Sequence, residues 1–138
     1  MRSLLLVLFI AACASAVPSG ELPPLGVALS CNAEREEVCG AGGCQPADAS
    51  VPVLTPVSIS LPAGDGGAEV CVATGCSDAR VTRVPLSRTP DWAARLEPEA
   101  GMAGVVTVSN DRRRFEYTHA GENGAVSRWS GACEAARS

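Results

Sequence analysis

The chain has no lysine: all eleven of its basic residues are arginine. Fifteen acidic residues outweigh them, for a net charge of −4. That balance excludes duplex nucleic acid as the main partner, because duplex binding rests on neutralising phosphates. Histidine is nearly absent too. His119 alone excludes the multi-histidine ligand sets of common catalytic zinc sites. No nucleophile-elbow pattern accompanies it, so no Ser-His-Asp site is read and no catalytic residue is assigned. Aromatics are scarce at 4%. Past the N-terminus only Trp92, Phe115, Tyr117 and Trp129 remain, so the core is modest and gains from covalent staples. No apolar run is long enough to form a transmembrane helix.

What is present begins with an export signal. Arg2 supplies a positive start, Leu4 to Ala12 an apolar run too short to cross a bilayer, and Ala14-Ser15-Ala16 a small-x-small cleavage pattern. A competing reading takes Ile10-Ala11-Ala12-Cys13 as a lipobox, with Cys13 the lipidated first residue of the mature protein. Residues 1–16 are thus read as signal, ending before Cys13 in the lipoprotein case. Residues 17–26, carrying Pro18, Pro23 and Pro24, are read as a flexible tether. Residues 27–134 form one domain and 135–138 a tail. Removing residues 1–16 from 138 leaves 122, a length for a single domain. Loss of Arg2 takes the charge to −5.

Beyond Cys13, six cysteines remain: Cys31, Cys39, Cys44, Cys71, Cys76 and Cys133. An even number in a small exported domain predicts three disulfides. Fifteen pairings are open to six cysteines. Loop composition prefers one. Gly40-Ala41-Gly42-Gly43 is flexible enough to let Cys39 reach Cys44, and Gly75 suits a turn between Cys71 and Cys76. Cys31 and Cys133 are then left for each other. Structural zinc on the two Cys-x4-Cys pairs is the alternative, and an oxidising compartment disfavours it. The glycine run also suggests a phosphate loop superficially, but no lysine follows and a cysteine flanks each end.

Alternation of apolar and polar residues predicts strands at Val27–Cys31, Val57–Leu61, Glu69–Val72 and Arg80–Val84. Asn32–Val38 reads as a helical turn or solvated loop, and Gly40–Ser50 as loop. Pro52 and Pro56 permit only an edge strand. Thr89-Pro90 followed by Trp92 and Leu96 at i and i+4 predicts one short helix. Glu97–Gly104 is read as loop. A closing meander follows: Val105–Ser109, Arg114–His119 and Val126–Cys133, with turns at Asn110-Asp111 and Gly121–Gly124. Phe115, Tyr117 and His119 share one face, which puts His119 at a half-buried rim. Arg112, Arg113 and Arg114 form the one cationic cluster. It reads as a solvated turn, or as a contact for lipid phosphate or an acidic partner. The acidic residues Asp65, Asp78, Asp91, Glu97 and Glu99 fall in predicted loops, and spacing alone assigns them no glycosidase role.

The export signal, the early strand ending in Cys31, the Cys71–Cys76 hairpin and the closing run Trp129-Ser130-Gly131-Ala132-Cys133 resemble small exported, cysteine-containing bacterial β-proteins of the periplasm or lipoprotein class. That resemblance implies no activity and no catalytic residues.

The expectation is an all-β domain, a small antiparallel β-sandwich or partly open β-barrel of six to eight strands with at most one short helix, stapled by disulfides. Its expected role is that of a non-enzymatic envelope or periplasmic domain, binding or structural. The alternative is a secreted enzyme or protease-inhibitor-like module presenting the Cys39–Cys44 loop. Expected partners are a protein or small ligand, with no cofactor, no metal and no nucleic acid, and a membrane only through an anchor at Cys13.

Overall fold

The computed structural model describes residues 22–47, 57–86, 89, 91–121 and 124–137. The signal, Cys13, the first part of the tether and the Pro52/Pro56 edge lie outside the described residues.

The described residues form nine strands: β1 (Leu29–Gly40), β2 (Gly43–Pro46), β3 (Ser58–Leu61), β4 (Ala68–Val72), β5 (Gly75–Arg83), β6 (Trp92–Pro98), β7 (Gly104–Val108), β8 (Arg114–Ala120) and β9 (Val126–Ala135). Every pairing is antiparallel. β3 to β9 run as a meander, and β1 fills the gap between β9 and β3. The result is a closed eight-stranded barrel: the expected all-β antiparallel domain, but closed rather than partly open or a sandwich. Closure removes the exposed edges that either alternative would leave.

β2 is the ninth strand. It pairs with the same edge of β1 that β3 uses, Glu37–Gly40 against β2 and Leu29–Asn32 against β3. The chain leaves this edge at Ala47, whose N–H reaches Glu36 O, and rejoins it at Val57, whose carbonyl accepts from Ala33 N. A β-bulge in β1 between Ala33 and Arg35 lies at that level.

Three sequence expectations are corrected. Asn32–Val38 is neither helical turn nor loop but part of β1. The ladder with β9 holds it, and Glu37 pairs outward with Arg128. Gly43–Pro46, expected as loop, is β2. In place of the helix expected from Thr89 to Leu96, Trp92–Leu96 lies in β6. Trp92 and Leu96 are i and i+4, an even spacing that also shares one face of a strand. Ala94 lies between them on that face, and all three are buried. Ladders to β5 and β7 on both sides outweigh the local helix signal. Pro90 lies outside the described residues. The tether boundary also moves: Leu25 is buried in the core, and Gly26 N donates to Ala63 O.

The interior is filled by side chains. Leu29, Ile59, Leu61, Val70, Leu96, Val106, Val108, Phe115, Tyr117 and Trp129 form one cluster, and among the described residues no polar or charged residue is buried. An eight-stranded barrel is just wide enough for such a fill. Tyr117 and Trp129 are direct cross-strand neighbours with ring centroids 6.1 Å apart. The Tyr117 hydroxyl donates to Met102 O, and burial pushes its pKa up to about 12. Gly131 has a steric reason. A Cβ there would lie 1.9 Å from Asn32 O, so only glycine lets β9 approach the β1 bulge.

All three disulfides join directly opposed residues. Cys31–Cys133 links β1 to β9 inside the barrel, on the seam that closes it. Cys39–Cys44 crosses the β1–β2 hairpin, and Cys71–Cys76 the β4–β5 hairpin. These are the pairs that loop composition prefers.

Candidate functional site

The barrel has two mouths. One gathers the β1–β2 and β4–β5 hairpin turns and the 99–103 connection. The other gathers the incoming segment 22–28, the 62–67 turn, the β5–β6 connection, the β7–β8 turn and the end of β9. A filled interior leaves a ligand these mouths rather than a central cavity.

The N-terminal mouth carries a cleft of about 230 Å³, walled by Leu22, Pro23, Val84, Pro85 and Leu86 and lined also by Arg83, Asp91, Trp92 and Arg112. That is below the usual range for a drug-sized ligand and suits a group of a few heavy atoms. Its parts arrive by register. Trp92 opens β6 and pairs with Val108, which pairs with Phe115, so the β7–β8 turn lies beside the start of β6. Asp91 fastens the two by accepting from Asn110 N at 2.9 Å.

The turn itself is tightly wired. The Ser109 hydroxyl donates to Asp111 at 2.6 Å, and Arg113 N donates to the same Asp111 oxygen at 3.0 Å. These bonds, the Ser109 hydroxyl first, hold the Asp111 carboxyl below its ordinary pKa. Arg112 N bonds Ser109 O, and Arg112 adopts a left-handed backbone with φ of 63°. This places Arg112 in the cleft.

The arginine cluster therefore divides. Arg114 is paired with Glu34 at 3.2 Å across the β1 bulge, and Arg113 is exposed outside the cleft. Arg112 is half-buried, and among the described residues its guanidinium meets Ser109 O alone, at 3.4 Å. It has no carboxylate partner among the described residues. Arg83, in the same cleft, is engaged by Leu22 O and by Asp65 at 2.7 Å. The Trp92 indole N–H is buried with no acceptor among the described residues. An unmet buried donor costs on the order of 1–3 kcal/mol. The cleft thus holds one guanidinium with a single long contact, set beside the buried ring of Trp92.

Other expected residues lie elsewhere. His119 is half-buried at the hairpin mouth, its Nδ1 donating to Ala103 O at 2.7 Å. The sulfurs of Cys71 and Cys76 lie within 4.8 Å of a Glu69 oxygen. Both are consumed in a disulfide and offer no thiolate, and the same holds for Cys39 and Cys44, so the zinc alternative is withdrawn. Cys13 lies outside the described residues.

Sequence reading missed two features. One is the cleft, because Trp92 reads as a core residue and Arg112 as one of three equivalent cations. The other is Glu36. It faces Trp129 from β1, and its Oε2 and the Trp129 indole N–H are both buried without a well-aligned partner. Burial raises the Glu36 pKa, and the nearby Trp129 indole offsets part of that.

Compared with known protein families, with curated proteins and with solved structures, the chain matches none.

Proposed function

We propose that this chain is an exported, non-enzymatic binding domain of the bacterial envelope, periplasmic or attached to the outer membrane, whose binding site is the cleft at the N-terminal mouth. The observation that carries the reading is the Arg112 guanidinium, half-buried in the cleft with one long carbonyl contact and no carboxylate partner among the described residues. Three disulfides are consistent with an oxidising compartment. A packed, stapled barrel suits a rigid platform for a mouth site. The resemblance to small exported β-proteins agrees with this role.

The test is a small-molecule and peptide library followed by ¹H–¹⁵N spectra. The chain has two tryptophans, so two indole N–H signals report on it. Ligands that move the Trp92 indole and the Asn110 amide support the reading. Ligands whose shifts gather only at the hairpin mouth overturn it.

A second reading has its own observation. All four residues of β2 are exposed, and Cys39–Cys44 ties that hairpin. A rigid bridged hairpin of this kind suits an inhibitor or protein-binding module. Nanomolar inhibition of a protease that is lost in Cys39→Ala/Cys44→Ala would favour it over the cleft.

A further inference from the structure

Resting on the reading of the N-terminal cleft as the binding site, we infer that its ligand is a monocarboxylate carried on an apolar body: a free apolar acid or the C-terminus of a chain ending in an apolar residue.

The unmet group is a donor: Arg112 lines the cleft with a forked guanidinium that matches a carboxylate bidentately. A ligand must therefore bring acceptor oxygens. Charge sets how many. Asp91 lines the same cleft, and Asp65 is already spent on Arg83. With Arg83 engaged by Asp65, one guanidinium faces one carboxylate, and that balance tolerates a monoanion better than a phosphate or sulfate dianion. Apolar shape sets the rest. Leu22, Pro23, Val84, Pro85 and Leu86 give a wall on which an aliphatic group loses its contact with water. Leu86 is 38% exposed, a large apolar side chain left partly uncovered at the rim. About 230 Å³ accommodates one such group rather than a long ligand.

Arg113 separates this site from general surface charge. It is the next residue, exposed, and outside the cleft. Non-specific attraction of anions treats Arg112 and Arg113 alike, and the proposed site does not.

The test uses the oxidised full-length mature protein and five probes: N-acetyl-leucine, its uncharged amide, hexanoate, the peptide acetyl-Ala-Ala-Leu, and inorganic phosphate. Isothermal titration gives affinity, and the indole N–H spectra give location. N-acetyl-leucine is expected to saturate the protein while moving the Trp92 signal and leaving Trp129 in place. The amide is expected to bind at least tenfold more weakly, and Arg112→Gln to weaken the acid at least tenfold. Arg113→Gln is expected to leave it within twofold. Whichever of hexanoate or the peptide binds more tightly names the source of the carboxylate. Equal binding of acid and amide, stronger binding of phosphate, or equal effects of the two arginine substitutions overturns the ligand class. In those cases a moving Trp92 signal still supports the cleft as the site. If no probe moves Trp92 at millimolar concentration, the ligand class is overturned, and the library screen then decides the site separately. Arg112 is at the surface of a turn held by Ser109 and Asp111, so its substitution is judged on protein with unchanged spectra elsewhere.

Discussion

Replacing Cys31 and Cys133 together by alanine is expected to cost far more stability than replacing Cys39 and Cys44 together. The reason is chain entropy. The first bridge closes a loop of sequence separation 102, the second one of only 5. In the loop-closure model these are worth about 4.7 and about 2 kcal/mol. The Cys71–Cys76 bridge shortcuts the long loop by a few residues, and a logarithmic dependence makes that correction small. Packing widens the gap. Cys31 and Cys133 are 0% and 7% exposed, so alanine also removes buried sulfur, whereas Cys44 is exposed and loses little. Alanine rather than serine avoids burying two unmatched hydroxyls. For a domain of this size the first pair should lower Tm by roughly 15–20 °C and the second by well under 10 °C. Thermal melts by circular dichroism in non-reducing buffer measure both. Urea melts add a check, since the m-value should rise when the long crosslink no longer compacts the unfolded chain. Equal Tm losses for the two pairs would refute the entropic ranking. So would a larger loss for the hairpin pair.

Other outcomes follow from single contacts. Glu36 has its folded-state pKa raised by burial, so the folded protein holds that proton more tightly than the unfolded chain. Its unfavourable contribution is absent below the ordinary carboxyl range and grows as pH rises through the folded value. Glu36→Gln should therefore raise Tm at about pH 7 and change it little at about pH 3.5. An advantage that is the same at both pH values contradicts this. Gly131→Ala drives a Cβ into Asn32 O and should cost about 3 kcal/mol or more by urea titration. Gly42→Ala, with nothing within 4 Å, should stay within about 0.5 kcal/mol. Comparable losses would show that β9 does not sit this close to β1. Mild dithiothreitol followed by alkylation and peptide mapping should label Cys44 and Cys76, both exposed, before Cys31 and Cys133. Early labelling of Cys133 would show that the seam opens under native conditions.

Much of the wall was legible in the sequence where one face is apolar and the other polar. Val57–Leu61, Glu69–Val72 and the meander from Val105 alternate cleanly, and each lies in a strand. Asn-Asp turn chemistry and the glycine-bearing Cys-x4-Cys segments read correctly for the same reason: their signals are local. Asn32–Val38 failed because the β1 bulge shifts alternation by one residue at Glu34 and Arg35, and what holds it is a ladder to β9, about ninety residues away. Trp92–Leu96 failed because even spacing and helical spacing coincide at four residues. Only the neighbours β5 and β7 decide between them.

The cleft was illegible for a related reason, and that reason bears on how it works. Trp92 and Arg112 are separated by two strands and meet because the pairings Trp92–Val108 and Val108–Phe115 bring the β7–β8 turn beside the start of β6. Neither residue signals a site alone. A tryptophan sharing one face of an expected helix with Leu96 signals no ligand, and an arginine in a run of three reads as solvated charge. The asymmetry appears only when partners are assigned. Glu34 takes Arg114, Asp65 takes Arg83, and among the described residues Arg112 is left with a weak carbonyl contact beside the buried Trp92. Because Ser109 and Asp111 hold the turn without Arg112's side chain, the guanidinium is free of structural duty. Binding at this mouth and stability of the barrel should therefore separate: Arg112→Gln changes the first and leaves the second, whereas the seam at Cys31–Cys133 does the reverse.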